Sequence, residues 1–482
     1  MQVKSVLRIL GVLWMILGLF MSLVLPVIYY YQSNDLYPML YAMGLSFGLG
    51  FLAFIIGRKA TIHINKRTGY FTVAIGWISM AFMCMLPFVF SGYFPTISGA
   101  FFESMSGLTT TGASVLTDIE GVSKGILFWR SLTQWIGGMG IIVLTVALFP
   151  LLGIGGFELF VAEVPGPTSD KIHPKTRDTA RTLWIVYLAL TMLLFLALYL
   201  AGMSGYDAIN HALTTMATGG FSTKNASIAA FEQPIIHYIL IGGMFIAGTN
   251  FTLLYYAFRG RFRKIWYSDE FKTYLIFILG FTFLVSLFVY RLTDRTYEES
   301  FRDSLFQVIS VITTTGFITA DYTAWSTALT MFFFILLFIG GCAGSTAGGI
   351  KIIRHLVFIK NSVLEFKRIL HPRALIRIKI DKQMVAPRLL THILVFLLLY
   401  LLSFLFGSVL VAFLGLDFES AIGATITCLS NVGPGIGSVG PVYNFGEVPD
   451  LAKWVLSLLM LIGRLELFTI LILFTPYFWK TN

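Results

Sequence analysis

Residues 304–318 read SLFQVISVITTTGFI, a short apolar segment that runs into three threonines and a glycine. The same design recurs at 100–114 (AFFESMSGLTTTGAS), 207–222 (DAINHALTTMATGGFS) and 421–435 (AIGATITCLSNVGPG). Aligned on one glycine each, Gly112, Gly219, Gly316 and Gly433, the stretches lie 107, 97 and 117 residues apart. A second landmark sits in the apolar run that follows each: Ile136-Gly137-Gly138, Ile241-Gly242-Gly243, Ile339-Gly340-Gly341 and Ile462-Gly463-Arg464. Two landmarks in step four times define an internal repeat of about 100 residues. Its unit is a helix, a half-helix with a polar loop, and a second helix.

The composition around these units is that of a membrane protein. Of 482 residues, 57 % are hydrophobic and 12 % charged, and mean hydropathy is +0.81. Soluble domains carry about 25 % charged residues, so soluble enzymes, nucleic-acid binders and disordered chains are excluded. Runs of this length argue for helices rather than a β-barrel, whose strands alternate. Ten apolar stretches can be drawn, roughly 9–31, 37–57, 71–92, 126–152, 183–203, 235–258, 274–290, 327–359 (interrupted), 389–415 and 454–478. The first follows Lys4 and Arg8 and reads as a membrane helix, being too long for a signal-peptide core.

With the N-terminus inside, 26 of the 34 Lys and Arg fall on the inner side and seven outside (Lys124, Arg130, Lys224, Arg291, Arg295, Arg302, Lys453), with Arg464 inside a span. That bias places both termini in the cytoplasm and accounts for the net charge of +10 without nucleic acid. The expected fold is an all-α polytopic membrane protein of ten spans. An N-terminal transmembrane helix pair (1–68) precedes repeat 1 (69–155), repeat 2 (156–262), repeat 3 with a broken second helix (263–380) and repeat 4 (381–482). Three scattered cysteines, Cys84, Cys342 and Cys428, make neither a disulfide framework nor a CxxC site.

Irregular backbone at membrane depth is tolerated only where it is buried in protein or lines a water path. Four re-entrant loops therefore meet most simply on a pseudo-fourfold axis, each half-helix aiming the negative end of its dipole inward, which favours a cation. The residues before the aligned glycines are Thr110-Thr111, Ala217-Thr218, Thr314-Thr315 and Asn431-Val432, none of them charged. Such a ring coordinates through carbonyls and hydroxyls, as a dehydrated monovalent cation requires. Glycine supplies the φ > 0 geometry that turns successive carbonyls toward one line. Read singly, the same threonines also suit N-caps and turns.

The eighth stretch breaks at Gly340-Gly341-Cys342-Ala343-Gly344-Ser345-Thr346-Ala347-Gly348-Gly349. Five glycines in ten residues disfavour helix and fit a loop that blocks the path; close helix packing through small residues is the alternative. Arg464 inside a span is either a positive barrier in the path or the partner of a carboxylate such as Glu466. The basic segment 360–388, in which Ile376, Ile378 and Ile380 alternate with charges, fits a short hairpin on an inner cationic face. That face suits lipid headgroups or a cytosolic partner. His211 reads as a structural residue. No Walker A loop or G-x-S-x-G is present, so no enzyme is expected.

Together, Thr109-Thr110-Thr111-Gly112-Ala113, Thr218-Gly219-Gly220-Phe221-Ser222-Thr223, Thr313-Thr314-Thr315-Gly316-Phe317 and Ser430-Asn431-Val432-Gly433-Pro434-Gly435 resemble the filter signatures of the Trk/Ktr/HKT potassium-transporter superfamily, and the length and extra helix pair are similar to its bacterial TrkH-type membrane subunits. Gly220 and Val432 depart from the family pattern. The resemblance implies a channel-like K⁺-translocating subunit of the bacterial inner membrane, forming a homodimer controlled by a cytosolic TrkA-type nucleotide-binding protein. It implies a K⁺ filter of Thr110, Thr111, Gly112, Ala113, Ala217, Thr218, Gly219, Gly220, Thr314, Thr315, Gly316, Phe317, Asn431, Val432, Gly433 and Pro434. It also implies a gate of Gly340, Gly341, Ala343–Gly349 and Arg464. K⁺ is then cargo, and no organic cofactor is expected. The competing class is a cation-coupled secondary transporter, for which Glu103 and Glu466 are the candidate carboxylates.

Overall fold

The computed structural model describes residues 3–59, 66–143, 176–374 and 376–480. The chain opens with α1 (Val3–Ser22), α2 (Leu25–Tyr31) and α3 (Leu36–Gly57). α1 and α3 lie against each other because glycines let their backbones meet: a side chain at Gly11 would strike Gly50 and Phe54, and one at Gly57 would strike Lys4 and Arg8.

Four copies of the helix–half-helix–helix unit follow. The first is α4 (Lys66–Cys84, extended past a bend by α5, Leu86–Ser91), the half-helix α6 (Ile97–Leu108) and α7 (Lys124–Val143). The second is α8 (Thr176–Leu200), the half-helix α9 (Gly205–Met216), and α10 (Pro234–Ala247) with α11 (Phe251–Phe258) and the short α12 (Arg263–Tyr267). The third is α13 (Asp269–Leu292), the half-helix α14 (Tyr297–Ile312), α15 (Thr327–Leu336) and α16 (Ile352–Leu370). A hairpin of β1 (Lys379–Ile380) and β2 (Gln383–Met384) leads into the fourth: α17 (Pro387–Phe413), the half-helix α18 (Phe418–Ser430), α19 (Asp450–Arg464), α20 (Phe468–Leu471) and α21 (Pro476–Trp479).

Among the described residues six helices are long and apolar enough to cross a membrane, or eight if two bent pairs each count as one span. The other two expected spans differ in character. α7 is described to Val143; residues 144–175 lie outside the described residues, and with them the expected 155/156 repeat boundary and inner cations such as Lys171 and Lys175. The 327–359 span is a ten-residue apolar helix, a loop and then the amphipathic α16. Two further breaks were not expected. α10 and α11 meet at 108°, and Asp450–Arg464 meets Phe468–Phe474 at 114°. The second turns on Glu466 and Leu467, both at positive φ.

The half-helices are 12, 12, 16 and 13 residues long, about 18–24 Å against a hydrocarbon core of about 30 Å. Each starts on a side-chain cap: Thr96, Ser204, Thr296 and Asp417 accept from Gly99, Asp207, Glu299 and Ser420 N–H. The expected hairpin is present, with Lys379 opposite Met384 and Ile380 opposite Gln383 across the positive-φ pair Asp381-Lys382.

Candidate functional site

All four half-helices end the same way. Thr110, Thr218, Thr314 and Asn431 stand at φ 54°, 52°, 54° and 57°. The next residue reaches back five positions: Thr111 N to Ser106 O and Gly219 N to Thr214 O (both 2.8 Å), Thr315 N to Ser310 O (2.8 Å), and Val432 N to Thr427 O (3.0 Å). This is a Schellman ending with a threonine or asparagine where glycine is usual. Left-handed threonine is strained by roughly 1–3 kcal/mol and persists only where the surroundings over-determine it. A left-handed glycine follows two residues on: Gly112, Gly220, Gly316 and Gly433, at φ 82°, 77°, 79° and 105°.

These glycines close a ring. A Cβ on Gly112 would overlap the carbonyl oxygen of Gly219; one on Gly220, that of Thr315; one on Gly316, that of Val432. One on Gly433 would come within 2.9 Å of the carbonyl oxygen of Thr111, which completes the circuit. The four loops therefore converge about one line, each pressing the oxygen before its own glycine against the glycine of a neighbour. Two loops also bury a side-chain oxygen without a hydrogen-bond partner, Thr110 Oγ1 and Asn431 Oδ1. Asn431 Nδ2 crosses to Thr111 Oγ1 (3.0 Å).

The register of repeat 2 requires a correction. Gly220, not Gly219, is the counterpart of Gly112, Gly316 and Gly433. Ala217 moves out of the loop to the helix C-cap, the place of Thr109 and Thr313, and Phe221 takes the place of Phe317. The apparent departure at Gly220 thereby disappears, since Gly220-Phe221 matches Gly316-Phe317. Val432 stands where Thr111 and Thr315 stand and supplies the same carbonyl.

Between α15 and α16 the glycine-rich segment forms a buried loop. Its mouth is closed by Gly340 N donating to Ile350 O (2.9 Å), beside the bridge Ile339–Ile350. Its tip touches repeats 2, 3 and 4 directly and repeat 1 through Arg464. Gly348 N donates to Thr314 Oγ1 (2.6 Å). Thr346 Oγ1 donates to Met216 O (3.0 Å) and Ala247 O (3.2 Å). Arg464, 3 % exposed, donates from Nη1 to Thr346 O (2.7 Å) and from Nη2 to Gly137 O (3.1 Å). Arg464 thus ties the loop to repeats 4 and 1. The pairing with Glu466 is absent; Glu466 accepts from Arg354 Nη2 (2.7 Å).

Comparison with known proteins agrees with this fold. The family model described as "TrkH: Cation transport protein" matches residues 46–480. The chain belongs to the TrkH family. Its similar curated relatives include the Trk system potassium uptake protein TrkH of Vibrio parahaemolyticus, 40 % identical over 490 residues and 100 % of both chains. That of Halomonas elongata is 37 % identical over 485 residues, again 100 % of both. The crystal structure of the potassium transporter TrkH from Vibrio parahaemolyticus superposes with a TM-score of 0.91 at 36 % identity over 100 % of both chains. The family consists of transporters, not enzymes, and this member is a multi-pass membrane protein.

Several side chains of this TrkH-family site carry no sequence signal of their own. Arg130, placed in an outer connection by its sequence neighbourhood, is 1 % exposed in α7 and meets Glu103 at 2.5 Å. Gln134 Nε2 donates to Gly219 O (2.6 Å), and its Oε1 accepts from Phe221 N (3.1 Å). Glu270 on α13 accepts from Ala343 N in the loop (2.7 Å). Its neighbour Asp269 accepts from Lys360 Nζ (3.0 Å), donates from its backbone N to Asp381 Oδ1 of the hairpin (2.6 Å), and accepts at Oδ2 from Asp381 N (3.2 Å). Burial pushes the Asp381 carboxyl above the usual carboxylate range, against the lowering effect of the Asp269 N–H. His211 is structural: Nδ1 lies 2.7 Å from Asp207 O and Nε2 2.9 Å from Ser222 Oγ.

Proposed function

We propose that this chain is the K⁺-translocating membrane subunit of a bacterial uptake system in the inner membrane, and that K⁺ passes through the ring of four loops. The observation that carries the reading is the closed circuit of glycine and carbonyl contacts. Backbone and hydroxyl oxygens of Thr110–Ala113, Thr218–Phe221, Thr314–Phe317 and Asn431–Pro434 would replace the hydration shell of the ion. Uncharged oxygens suit a monovalent cation, and the unpartnered Thr110 Oγ1 and Asn431 Oδ1 are acceptors an ion can satisfy. The names of the relatives, potassium uptake proteins, support the choice of ion. The 340–349 loop and Arg464 act as the gate, in a homodimer controlled by a cytosolic TrkA-type nucleotide-binding partner.

Passive conduction is favoured over coupling. Glu103 is neutralised by Arg130 and Glu466 is paired with Arg354, so neither candidate carboxylate is a free proton carrier. The test is Rb⁺ flux into proteoliposomes at fixed H⁺ and Na⁺ gradients. Flux set by the K⁺ or Rb⁺ electrochemical potential alone is expected; flux that needs a H⁺ or Na⁺ gradient overturns the reading.

Two predictions accompany it. Each loop keeps one glycine layer where a TVGYG filter stacks several carbonyl layers, so Na⁺ permeability should exceed about a thousandth of that of K⁺, as reversal potentials would report. Asp269 and Glu270 are adjacent, the first held by the cytosolic hairpin and the second by the loop. Asp269→Asn should leave basal Rb⁺ flux in place and cut its response to the regulatory partner at least about five-fold, the scale of a modest coupling energy.

A further inference from the structure

Nine residues before the left-handed glycine, the first three half-helices carry Glu103, His211 and Gln307. Each turns back onto the segment leaving its own loop. Glu103 accepts from Ser114 Oγ (3.0 Å) and Val115 N (2.9 Å), His211 meets Ser222 Oγ, and Gln307 Nε2 donates to Thr319 Oγ1 (3.4 Å). In repeat 1 the brace extends into repeat 2. Arg130 donates from Nε to Glu103 (2.5 Å), from Nη2 to Ser114 Oγ (3.1 Å) and from Nη1 to Ser222 O (3.2 Å). Its guanidinium lies 3.8 Å from the ring centroid of Phe221. One helical turn on, along the same face of α7, Gln134 holds Gly219 O and Phe221 N.

We propose that the Glu103–Arg130 pair is a specificity-determining clamp that fixes the separation of loops 1 and 2, so that their oxygens fit K⁺ and resist closing on Na⁺. A fully buried ion pair is weak evidence of stabilisation, because apolar residues of similar volume often serve as well. What it supplies is geometry: the guanidinium is a rigid planar fork, and here its branches end on two different loops. Discrimination by a ring of carbonyls depends on how firmly the oxygens hold their spacing against a smaller ion. The clamp rests on the reading of the ring as the ion path.

Arg130→Lys keeps the charge and the reach to Glu103 but loses both Nη hydrogen bonds and the stack on Phe221. In proteoliposomes it should still conduct K⁺, with the Na⁺/K⁺ permeability ratio raised about five-fold, the scale of one ordinary lost hydrogen bond. Ser114→Ala, a milder change that removes the hydroxyl shared by Glu103 and Arg130, should raise the ratio in the same direction by a smaller factor. An unchanged ratio in a folded Arg130→Lys protein overturns the clamp, even if thermal stability falls. If Arg130→Lys does not fold, Ser114→Ala decides, and an unchanged ratio there overturns it equally. Failure of the underlying reading is separate: it would appear as wild-type Rb⁺ flux in Gly220→Ala, whatever the ratio in the clamp variants.

Discussion

Deleting Ala343–Gly348 should turn a controlled pathway into a leak, with Rb⁺ flux in the absence of any regulatory partner rising at least about ten-fold, the loss of a barrier of roughly 1.4 kcal/mol or more. The excision is mechanically mild. Gly340 and Ile350 are already hydrogen-bonded across the mouth of the loop, so Gly341, Cys342 and Gly349 can close the gap as a tight turn. What leaves is the tip, and with it the contacts to Thr314, Met216, Ala247 and Arg464. Those contacts place the tip against the ends of half-helices 2 and 3 and, through Arg464, beside repeat 1. Arg464→Ala should raise flux less than the deletion, because the loop keeps its links to Thr314 and Met216. Unchanged flux through a folded deletion variant would mean that the loop lies beside the path and does not block it.

The sequence made the glycine-rich break legible and the Glu103–Arg130 pair invisible, for physical reasons. Five glycines in ten residues cannot sustain a helix, so a break at 340–349 could be read directly. The break at Leu465–Leu467 has no glycine or proline; there Glu466 meets Arg354 on another repeat, a contact made only after the units assemble. The hairpin at 379–384 was legible because alternation of isoleucine with charge is a local property. Glu103 and Arg130 are 27 residues apart; alone, the first reads as a candidate coupling carboxylate and the second as an outer cation, and nothing local pairs them. The register error in repeat 2 has a different cause. Gly219 and Gly220 are adjacent and equally able to take φ > 0, so composition cannot choose between them. The caps favour one: Thr96, Ser204 and Asp417 each stand sixteen residues before Gly112, Gly220 and Gly433, although the longer third half-helix puts Thr296 twenty before Gly316. Glu103, His211 and Gln307 fall into line only in the same register.

The register can be tested by two alanines one residue apart. Gly220→Ala should abolish Rb⁺ flux, a loss of about a hundred-fold or more. It places a methyl on the carbonyl oxygen of Thr315, a backbone atom of the ring that has nowhere to retreat, and it forces alanine into the left-handed region, where a Cβ costs roughly 1–2 kcal/mol before any clash. Gly219→Ala meets a different obstacle. Gly219 is not at positive φ, and its new methyl would strike the side-chain amide of Gln134, the far end of a flexible chain. Gln134 can swing away at the cost of its hydrogen bonds to Gly219 and Phe221, roughly 0.5–1.5 kcal/mol each. Gly219→Ala should therefore retain measurable flux, lowered about ten-fold or less, with weakened discrimination against Na⁺. Combining it with Gln134→Ala should cost little more, since the double variant removes the clash and loses only bonds already broken; Gln134→Ala should do nothing for Gly220→Ala. The reverse order of severity, with Gly219→Ala abolishing flux and Gly220→Ala tolerated, would place Gly219 in the ring and undo the fourfold match of Gly112, Gly220, Gly316 and Gly433.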